Sequence, residues 1–376
     1  MKILSYIHPT RTYLPCTGVG RHINQLLSRL DSEPDVDLEL LVSKEWLGDD
    51  GRLDSTCPLR SLPTHSFPTK ENKTERSWKI LGFPRMDKYI PDDTDWLYAP
   101  METYFPISKC PVAVTIHDVQ AFETHLPWSQ SLQHKWFRHK WGLWVRRALN
   151  ESRVVFTVSE FSKQRMVELL GADADKVVVV GNGVDRTFFD IATEDSNIHQ
   201  FSPFDFPYVF MIGGLRQKKG GDYFLSVAKR LAQKQRNLKI VIAGKSDPTY
   251  ERAAADCHNI VLLGVVPDED VPRLFRHAVC LLFLSLYEGF GIPPLEAMAA
   301  GVPAVVANRA SLPEIVGDAG IVVEPDHTDE IVDVLVELEK GGSLRSDYVQ
   351  LGHKRVAQYS WGDCAEKVLS ALDAFS

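Results

Sequence analysis

Residues 287–301 read YEGFGIPPLEAMAAG and directly follow an apolar run at 280–284. Two consecutive prolines suit a helix start, so the pattern predicts a buried strand, a glycine-rich turn and a helix at 294–300. Backbone N–H groups at such a helix start can bind an anion. Gly289 and Gly291 lack a Cβ and therefore let a ligand approach the main chain closely. The stretch predicts a βα unit with an anion site at its turn.

The same alternation of strand and helix patterns runs along the whole chain. Short apolar runs predict strands at 2–7, 38–42, 112–117, 154–158, 176–180, 208–212, 239–243, 260–262, 280–284, 304–307 and 320–323. Amphipathic patterns predict helices at 21–30, 160–170, 223–235, 271–277, 294–300 and 330–338. Such alternation is typical of α/β proteins with parallel, doubly wound sheets.

Eleven strands exceed the usual size of one sheet, so the chain is expected to form two domains. The segment 186–207, RTFFDIATEDSNIHQFSPFDFP, is polar and has no periodicity. It predicts a first domain at 1–187, a linker at 188–206 and a second domain at 207–359, with a final helix at about 360–376 packing back on the first. Residues 46–100 are rich in Pro, Asp and Lys and are predicted to form long loops.

Composition excludes several classes of protein. The 50 acidic residues outnumber the 42 basic ones, which argues against a nucleic-acid partner. The six cysteines are scattered without a CxxC pair, as in reduced cytoplasmic proteins. No signal peptide or run of 18 apolar residues is visible, so a cytoplasmic location is expected.

The string E-G-F-G-x-P-P-L-E-A-M-A-x-G, with Glu288 and Glu296 eight positions apart, resembles the signature of the retaining glycosyltransferases of family 4, the group 1 enzymes. Further segments resemble that family in the same order: TGVG at 17–20, VTIHD at 114–118, VSEFSK at 158–163, GNGVD at 181–185, MIGGLRQKKG at 211–220, SLPEIVGDAGIVVEP at 311–325 and YSW at 359–361.

This resemblance implies a GT-B fold, in which two Rossmann-like domains face a central cleft. It implies retaining, metal-independent transfer of a hexose from a nucleotide-diphosphate sugar to a glycan or lipid-diphosphate-saccharide acceptor in surface polysaccharide synthesis, without a cofactor. The motif sequences are most like those of the mannosyl-transferring members of the family. This favours GDP-mannose as the donor, with UDP-hexoses as the alternative.

The resemblance also implies roles for single residues. His117 would contact the donor sugar, Lys219 the diphosphate, and Glu288 would orient the sugar; a core histidine paired with Asp118 is the other interpretation of His117. The predicted donor-binding set is Gly18, Gly20, Gly214, Arg216, Lys218, Lys219, Gly289, Phe290, Gly291, Ile292 and Glu296. Glu296 is expected in the first turn of its helix, accepting hydrogen bonds from the ribose.

The chain departs from the family pattern at Gly214, where many members carry arginine. Either Arg216 or Lys218 supplies the second cation, or Lys219 and backbone dipoles hold the diphosphate. Ile23 stands where a dinucleotide fingerprint needs glycine, which disfavours NAD. Four Asp-x-Asp pairs, at 35–37, 93–95, 173–175 and 268–270, lie in polar surroundings, and no metal is predicted.

Residues 128–147, WSQSLQHKWFRHKWGLWVRR, contain five Lys or Arg and no acid. The pattern predicts a basic, tryptophan-rich helix, either lying on an anionic membrane or near an anionic acceptor, or packing its aromatic face on the first sheet. The residues predicted for the acceptor or membrane face are Lys135, Arg138, Trp141, Trp144 and Arg146.

Two functions of other classes remain open from the sequence. A nucleotide-sugar 2-epimerase would share the two-domain architecture but lacks this Glu–Glu string. A non-catalytic nucleotide-sugar sensor would be consistent with the missing arginine.

Overall fold

The computed structural model describes residues 1–8, 17–68, 77–78, 81–193 and 202–376. The chain divides into two compact units. The first unit comprises Met1–Gly183 together with Ser360–Ser376, and the second comprises Val184–Tyr359. The chain therefore crosses between units twice, at 183–184 and at 359–360.

The first unit contains a seven-stranded parallel sheet in the order β3-β2-β1-β4-β5-β6-β7. Its strands are Lys2–Tyr6 (β1), Asp37–Ser43 (β2), Thr64–Phe67 (β3), Trp96–Ala99 (β4), Val112–Thr115 (β5), Val154–Thr157 (β6) and Val177–Val179 (β7). Its helices are Gly18–Asp31 (α1), Leu132–Glu151 (α2), Glu160–Leu170 (α3) and, after the second unit, Trp361–Ala374 (α12). The strand order reverses between β1 and β4, and such switch points are where α/β sheets bind ligands.

Two strands of this sheet lie in the segment that was predicted as loops. All four residues of β4 are buried in the middle of the sheet, whereas β3 is a mostly polar edge strand. Both are only four residues long, too short for a clear periodic pattern. The prediction of long loops throughout 46–100 is therefore wrong.

The second unit contains a six-stranded parallel sheet in the order β10-β9-β8-β11-β12-β13. Its strands are Tyr208–Ile212 (β8), Lys239–Ala243 (β9), Ile260–Gly264 (β10), Leu281–Phe283 (β11), Ala304–Ala307 (β12) and Ile321–Val323 (β13). Its helices are Arg186–Thr193 (α4), Gly221–Gln233 (α5), Pro248–Ala255 (α6), Val271–Arg276 (α7), Ile292–Ala299 (α8), Leu312–Val316 (α9), Thr328–Glu339 (α10) and Ser343–Val356 (α11). The switch point of this sheet lies between β8 and β11.

The segment predicted as an unpatterned linker begins with helix α4. Phe188 on this helix is buried and packs edge-on against Phe275 of α7, with the ring centroids 5.6 Å apart. Residues 188–193 thus belong to the second unit, while 194–201 of the predicted linker lie outside the described residues. The helix has only eight residues, about two turns, and this is too short for its apolar pattern to stand out in the sequence.

The C-terminal helix α12 packs into the core of the first unit. Its inward residues Trp361, Cys364, Val368 and Leu372 are buried among the residues of that core. Ser360 caps the helix, since its Oγ accepts a hydrogen bond from the Asp363 backbone N–H at 3.0 Å. Among the described residues, we find no helix with the length and apolarity needed to cross a bilayer.

Candidate functional site

The loops that follow β8 and β11 meet at the switch point of the second sheet. The backbone N–H of Leu286, after β11, donates to the carbonyl oxygen of Lys218, after β8, at 2.9 Å. The β8 loop leads into helix α5, which begins at Gly221. Because the carboxyl ends of parallel strands share one edge of a sheet, the side chains of both loops gather there.

Lys219 and Glu288 form an ion pair at this edge, with Nζ and Oε1 2.5 Å apart. The Lys219 side chain lies across Gly213, where a Cβ would be 3.3 Å from Lys219 Cε. Its ammonium group also lies 5.2 Å from the centre of the Phe283 ring. Both charged side chains are only partly buried, so a ligand can reach them.

Burial would raise the pKa of Glu288, but the nearby cations Lys219 and Lys218 outweigh it and hold that pKa below its ordinary value. Glu288 is therefore ionised at neutral pH. An ionised carboxylate is a hydrogen-bond acceptor only, which suits it to bind sugar hydroxyl groups.

The turn that follows Glu288 is fixed by Ser311. The Ser311 hydroxyl lies within hydrogen-bond distance of the carbonyl oxygens of Glu288, at 3.0 Å, and Phe290, at 2.5 Å. Gly291 has φ of +117°, and a Cβ there would lie 2.8 Å from Leu312 Cδ2. Sequence reasoning did not single out Ser311, although it opens the motif at 311–325.

The structure corrects the predicted position of Glu296. Helix α8 begins at Ile292, two residues earlier than predicted, and its first turn contains no acidic residue. Glu296 therefore lies in the second turn, where its side chain is only 1% exposed. Phe290 is also buried, with its ring edge-on to Tyr359 at 5.8 Å.

Gly214 leaves no room for the arginine that many family members carry at this position. Its φ is +71°, and a Cβ would lie 2.2 Å from the carbonyl oxygen of Lys245. Arg216 donates from Nε to that same carbonyl at 3.0 Å. Lys245, at the end of the neighbouring strand β9, was not identified from the sequence. Within the described parts of the chain, neither Lys245 nor Lys218 has an ion-pair partner, which leaves two cations on the loops that follow β8 and β9.

His117 follows β5 in the first unit and is buried. Its Nε2 lies 3.1 Å from the carbonyl oxygen of Pro100, which can only accept, so Nε2 carries the proton. In the neutral ring Nδ1 is then a hydrogen-bond acceptor. The backbone N–H of His117 donates to Glu102 Oε1 at 2.9 Å. The residue is thus fixed in both orientation and tautomer.

His22 stands beside His117 and was not identified from the sequence. The two rings meet edge-on with centroids 4.7 Å apart. His22 Nδ1 lies 2.7 Å from Asn182 Oδ1, and no described residue bonds its buried Nε2. Gly18 and Gly20 lie just before it in the first turn of α1, where Gly20 N–H donates to Thr17 Oγ1 at 3.1 Å.

Helix α2 places several residues differently from the predicted membrane face. Trp144 is buried in the core, and the half-buried Trp141 stacks on Phe122 at 5.2 Å. Arg138 donates to the carbonyl oxygens of Ala121 and Ser129, and Arg146 to those of Leu169 and Leu170. The buried Trp144 therefore does not lie on an exposed face, whereas Arg146 is exposed and Arg138 is half-buried. Lys135 is exposed as predicted.

Two family models match the chain. The family model "Glycosyltransferase Family 4" matches residues 17–188, and "Glycosyl transferases group 1" matches residues 194–355. The chain is 25% identical to the O-antigen chain mannosyltransferase B of Escherichia coli, with 99% of each chain covered.

Two similar solved structures are sucrose-phosphate synthase of Thermosynechococcus elongatus and Anabaena HepE in complex with UDP-glucose. The TM-scores are 0.73 and 0.71, the identities 14% and 15%, and each comparison covers 100% of both chains. The two family models account for both units, and the structural matches extend over the full chain. The protein therefore belongs to the group 1, or family 4, glycosyltransferases and has the GT-B fold.

Proposed function

We propose that the protein is a retaining hexosyltransferase whose second unit holds the diphosphate of a nucleotide sugar. The observation that carries this proposal is the Lys219–Glu288 pair at the switch point, with Lys218 near Glu288 and the Lys245 backbone against Gly214. These cations and the N–H groups at the start of α5 would bind the phosphates. Gly213, Gly214, Gly289 and Gly291 would let the donor approach the main chain.

The leaving diphosphate gains negative charge as the glycosidic bond breaks. Lys219 would stabilise this charge more strongly in the transition state than in the ground state, and that difference lowers the barrier. The acceptor oxygen forms the new bond to the anomeric carbon while the bond to phosphate breaks, and the departing phosphate takes the acceptor proton. The proposed scheme uses neither a metal ion nor a cofactor.

Lys245 and Lys218 are our candidates for the second cation. Arg216 is less suited, because its Nε is already engaged by the Lys245 carbonyl. A flexible lysine can reach a phosphate oxygen as a point charge without the space that an arginine at 214 would need.

Glu288 and His117 would bind the sugar. The ionised Glu288 can accept from sugar hydroxyls, and His117 can accept through Nδ1 because Nε2–H is held by Pro100. We propose that Glu296 accepts hydrogen bonds from the ribose. Its side chain is buried, so binding of the donor would have to expose it.

We propose mannose from GDP-mannose as the transferred group, and a glycan or lipid-linked saccharide of a surface polysaccharide as the acceptor. The full-length similarity to the Escherichia coli O-antigen chain mannosyltransferase B supports this choice. A UDP-hexose is the alternative donor. Retention of configuration is proposed from the resemblance of the Glu288–Glu296 string to the retaining family.

The test is sugar transfer by the purified chain, first with a panel of nucleotide sugars ranked by thermal shift. Lys219→Met and Glu288→Gln are expected to lower kcat by about 10²–10³-fold, as for loss of other transition-state contacts. Lys229→Met, which removes an exposed lysine farther along α5, should leave kcat unchanged.

Three outcomes would contradict the proposal: near-normal turnover in Lys219→Met, loss of activity with EDTA that manganese restores, or inversion at the anomeric carbon seen by NMR. Epimerisation of the donor without acceptor would support the epimerase instead. Binding without any transfer or hydrolysis would support the sensor.

We further propose that the first unit sits on an anionic membrane through an apolar stripe on helix α2. The stripe consists of Leu132, Trp136 and Leu143, which are 85%, 65% and 59% exposed and share one helix face. Lys140 lies over the Trp136 ring at 4.9 Å, so positive charge flanks the stripe. Large exposed apolar side chains beside cations are typical of helices at a membrane interface. This would place the protein at the inner face of the membrane.

A further inference from the structure

Three basic side chains lie at the amino ends of strands in the second sheet, whereas Lys219 lies at the carboxyl ends. Arg276 ends helix α7, which precedes β11, while Arg345 and His353 lie on α11. Arg276 and His353 lie beside Gly301, which precedes β12, and Arg345 lies beside Ala278, two residues after Arg276. Strands β11 and β12 are parallel neighbours, so this cluster lies at their amino ends, whereas the Lys219–Glu288 pair lies at a carboxyl end. We call these three side chains the Gly301 cluster.

Contacts at Gly301 and at Ala278 define the cluster. A Cβ on Gly301 would lie 3.3 Å from Arg276 Nη1 and 3.5 Å from His353 Nε2. Arg345 Nη2 lies 3.5 Å from the carbonyl oxygen of Ala278, two residues after Arg276. Arg345 and His353 are eight residues apart on a helix, about 80° around its axis, and so face the same side.

No ion pair formed by the described residues neutralises the arginines of this cluster. Among the described residues, no carboxylate lies within 4 Å of the three side chains, and the buried Nε of Arg276 has no hydrogen-bond partner. Burial lowers the pKa of all three groups, and the Arg276 cation lowers those of Arg345 and His353 further. A half-buried guanidinium such as that of Arg276, whose buried Nε has no partner among the described residues, costs free energy unless an anion joins it.

Capping of helix α8 does not explain the cluster. Cations do stabilise the carboxyl ends of helices, and α8 ends at Ala299 close to Gly301. However, the carbonyl oxygens of Ala297 and Met298 already accept backbone N–H groups from Val302 and Gly301, at 2.9 and 3.2 Å. The last turn of α8 therefore has little need of further donors from these side chains.

We propose that the Gly301 cluster is a second anion site, which binds a phosphate group through Arg276, Arg345 and His353. Two arginine forks and one imidazole N–H provide charge-assisted donors suited to phosphate oxygens. The absence of a Cβ at Gly301 leaves space between Arg276 and His353. The phosphate would come either from a small phosphate ester or from a phospholipid headgroup. This proposal does not depend on the donor site.

The test is binding of inorganic phosphate to the full chain, measured by calorimetry and by the rise in Tm. The Lys219→Met background removes the main phosphate ligand of the proposed donor site. In that background phosphate should still bind, and either Arg276→Gln or Arg345→Gln should weaken binding about tenfold or more. The control is Lys354→Gln, which removes an exposed cation about 180° around α11 from Arg345 and should change nothing.

The variants should fold, because Arg276→Gln removes a charge whose buried Nε has no partner among the described residues, and Arg345→Gln removes one long hydrogen bond to the Ala278 carbonyl oxygen. Their Tm in phosphate-free buffer should stay close to that of the parent. If one does not fold, His353→Gln, at an exposed position, replaces it and should also weaken binding. Absence of phosphate binding in Lys219→Met, or equal binding in all variants, would overturn the proposal.

Vesicles of phosphatidylglycerol identify the source of the phosphate. If the Arg276→Gln, Arg345→Gln double variant no longer binds phosphate and also binds vesicles more weakly, the site binds a lipid headgroup. If it loses phosphate but binds vesicles normally, the site takes a soluble phosphate ester. Both results require the loss of phosphate and therefore support the site itself.

Discussion

At the scale of single residues, His22 connects distant parts of the first unit. It contacts His117, pairs with Asn182 just before one crossing between the units, and lies 6.0 Å from the Trp361 ring just after the other. Gly183 packs directly against Trp361, since a Cβ on Gly183 would lie 2.4 Å from the Trp361 backbone nitrogen. Burial and the neighbouring His117 lower the pKa of His22 to about 3, so the ring stays neutral.

This burial predicts a pH-dependent stability. Below pH 6.5 the unfolded His22 takes up a proton, whereas the folded one does not until about pH 3, so stability falls as the pH falls through that window. The fall attributable to His22 is up to about 1.4 kcal/mol per pH unit. Urea unfolding should show that His22→Asn lacks this component, while His258→Asn, at an exposed position, retains it. Parallel stability curves for wild type and His22→Asn would contradict the assignment.

At the scale of elements, one face of helix α2 packs into the core and the other faces outward. Val145, Ala148 and Leu149 pack into the core, while Leu132 and Trp136 face outward. The segment around Gly82 lies beside the helix, since a Cβ there would lie 2.8 Å from Arg147 Nη2. Its neighbours Leu81 and Phe83 are also exposed apolar side chains.

We expect the triple variant Leu132→Ser, Trp136→Ser, Leu143→Ser to lose binding to phosphatidylglycerol vesicles with little change in Tm, because these side chains contribute little to the core. Vesicle co-sedimentation measures the binding. The control is Val265→Ser, which removes an 80% exposed apolar side chain from the second unit. Undiminished sedimentation of the triple variant would rule out the stripe as the membrane contact.

At the scale of the whole molecule, each unit has its own hydrophobic core. Leu372 of the final helix lies in the core of the first unit, although it follows the entire second unit in the chain. Leu335 of α10 lies in the core of the second. Both side chains are fully buried.

Replacing either leucine by alanine should therefore destabilise one unit selectively. Each substitution is expected to cost about 2–5 kcal/mol through the cavity it leaves. Scanning calorimetry, with hydrogen exchange to assign the transitions, should show Leu372→Ala lowering protection in Met1–Gly183 and Leu335→Ala lowering it in Val184–Tyr359. Equal loss of protection in both units after either substitution would show that they unfold together.

The sequence alone determined the α/β class, eleven of the strands and the family with its two domains, and it predicted site roles for Lys219, Glu288 and His117. These depend on local patterns: apolar runs, glycine turns and short motifs in a fixed order. The sequence did not reveal β3 and β4, nor helix α4, because their patterns are too short to stand out.

Only the tertiary structure decided which distant residues meet. His22 and Asn182 are 160 positions apart, and the Gly301 cluster joins two helices and a turn. The structure also showed that Lys245 occupies the space beside Gly214, that Glu296 lies in the second turn of α8, and that Arg138 and Arg146 bind backbone carbonyls. Periodicity fixes which face of an element is buried, but the order of strands in a sheet and the packing of helices on it fix the neighbours.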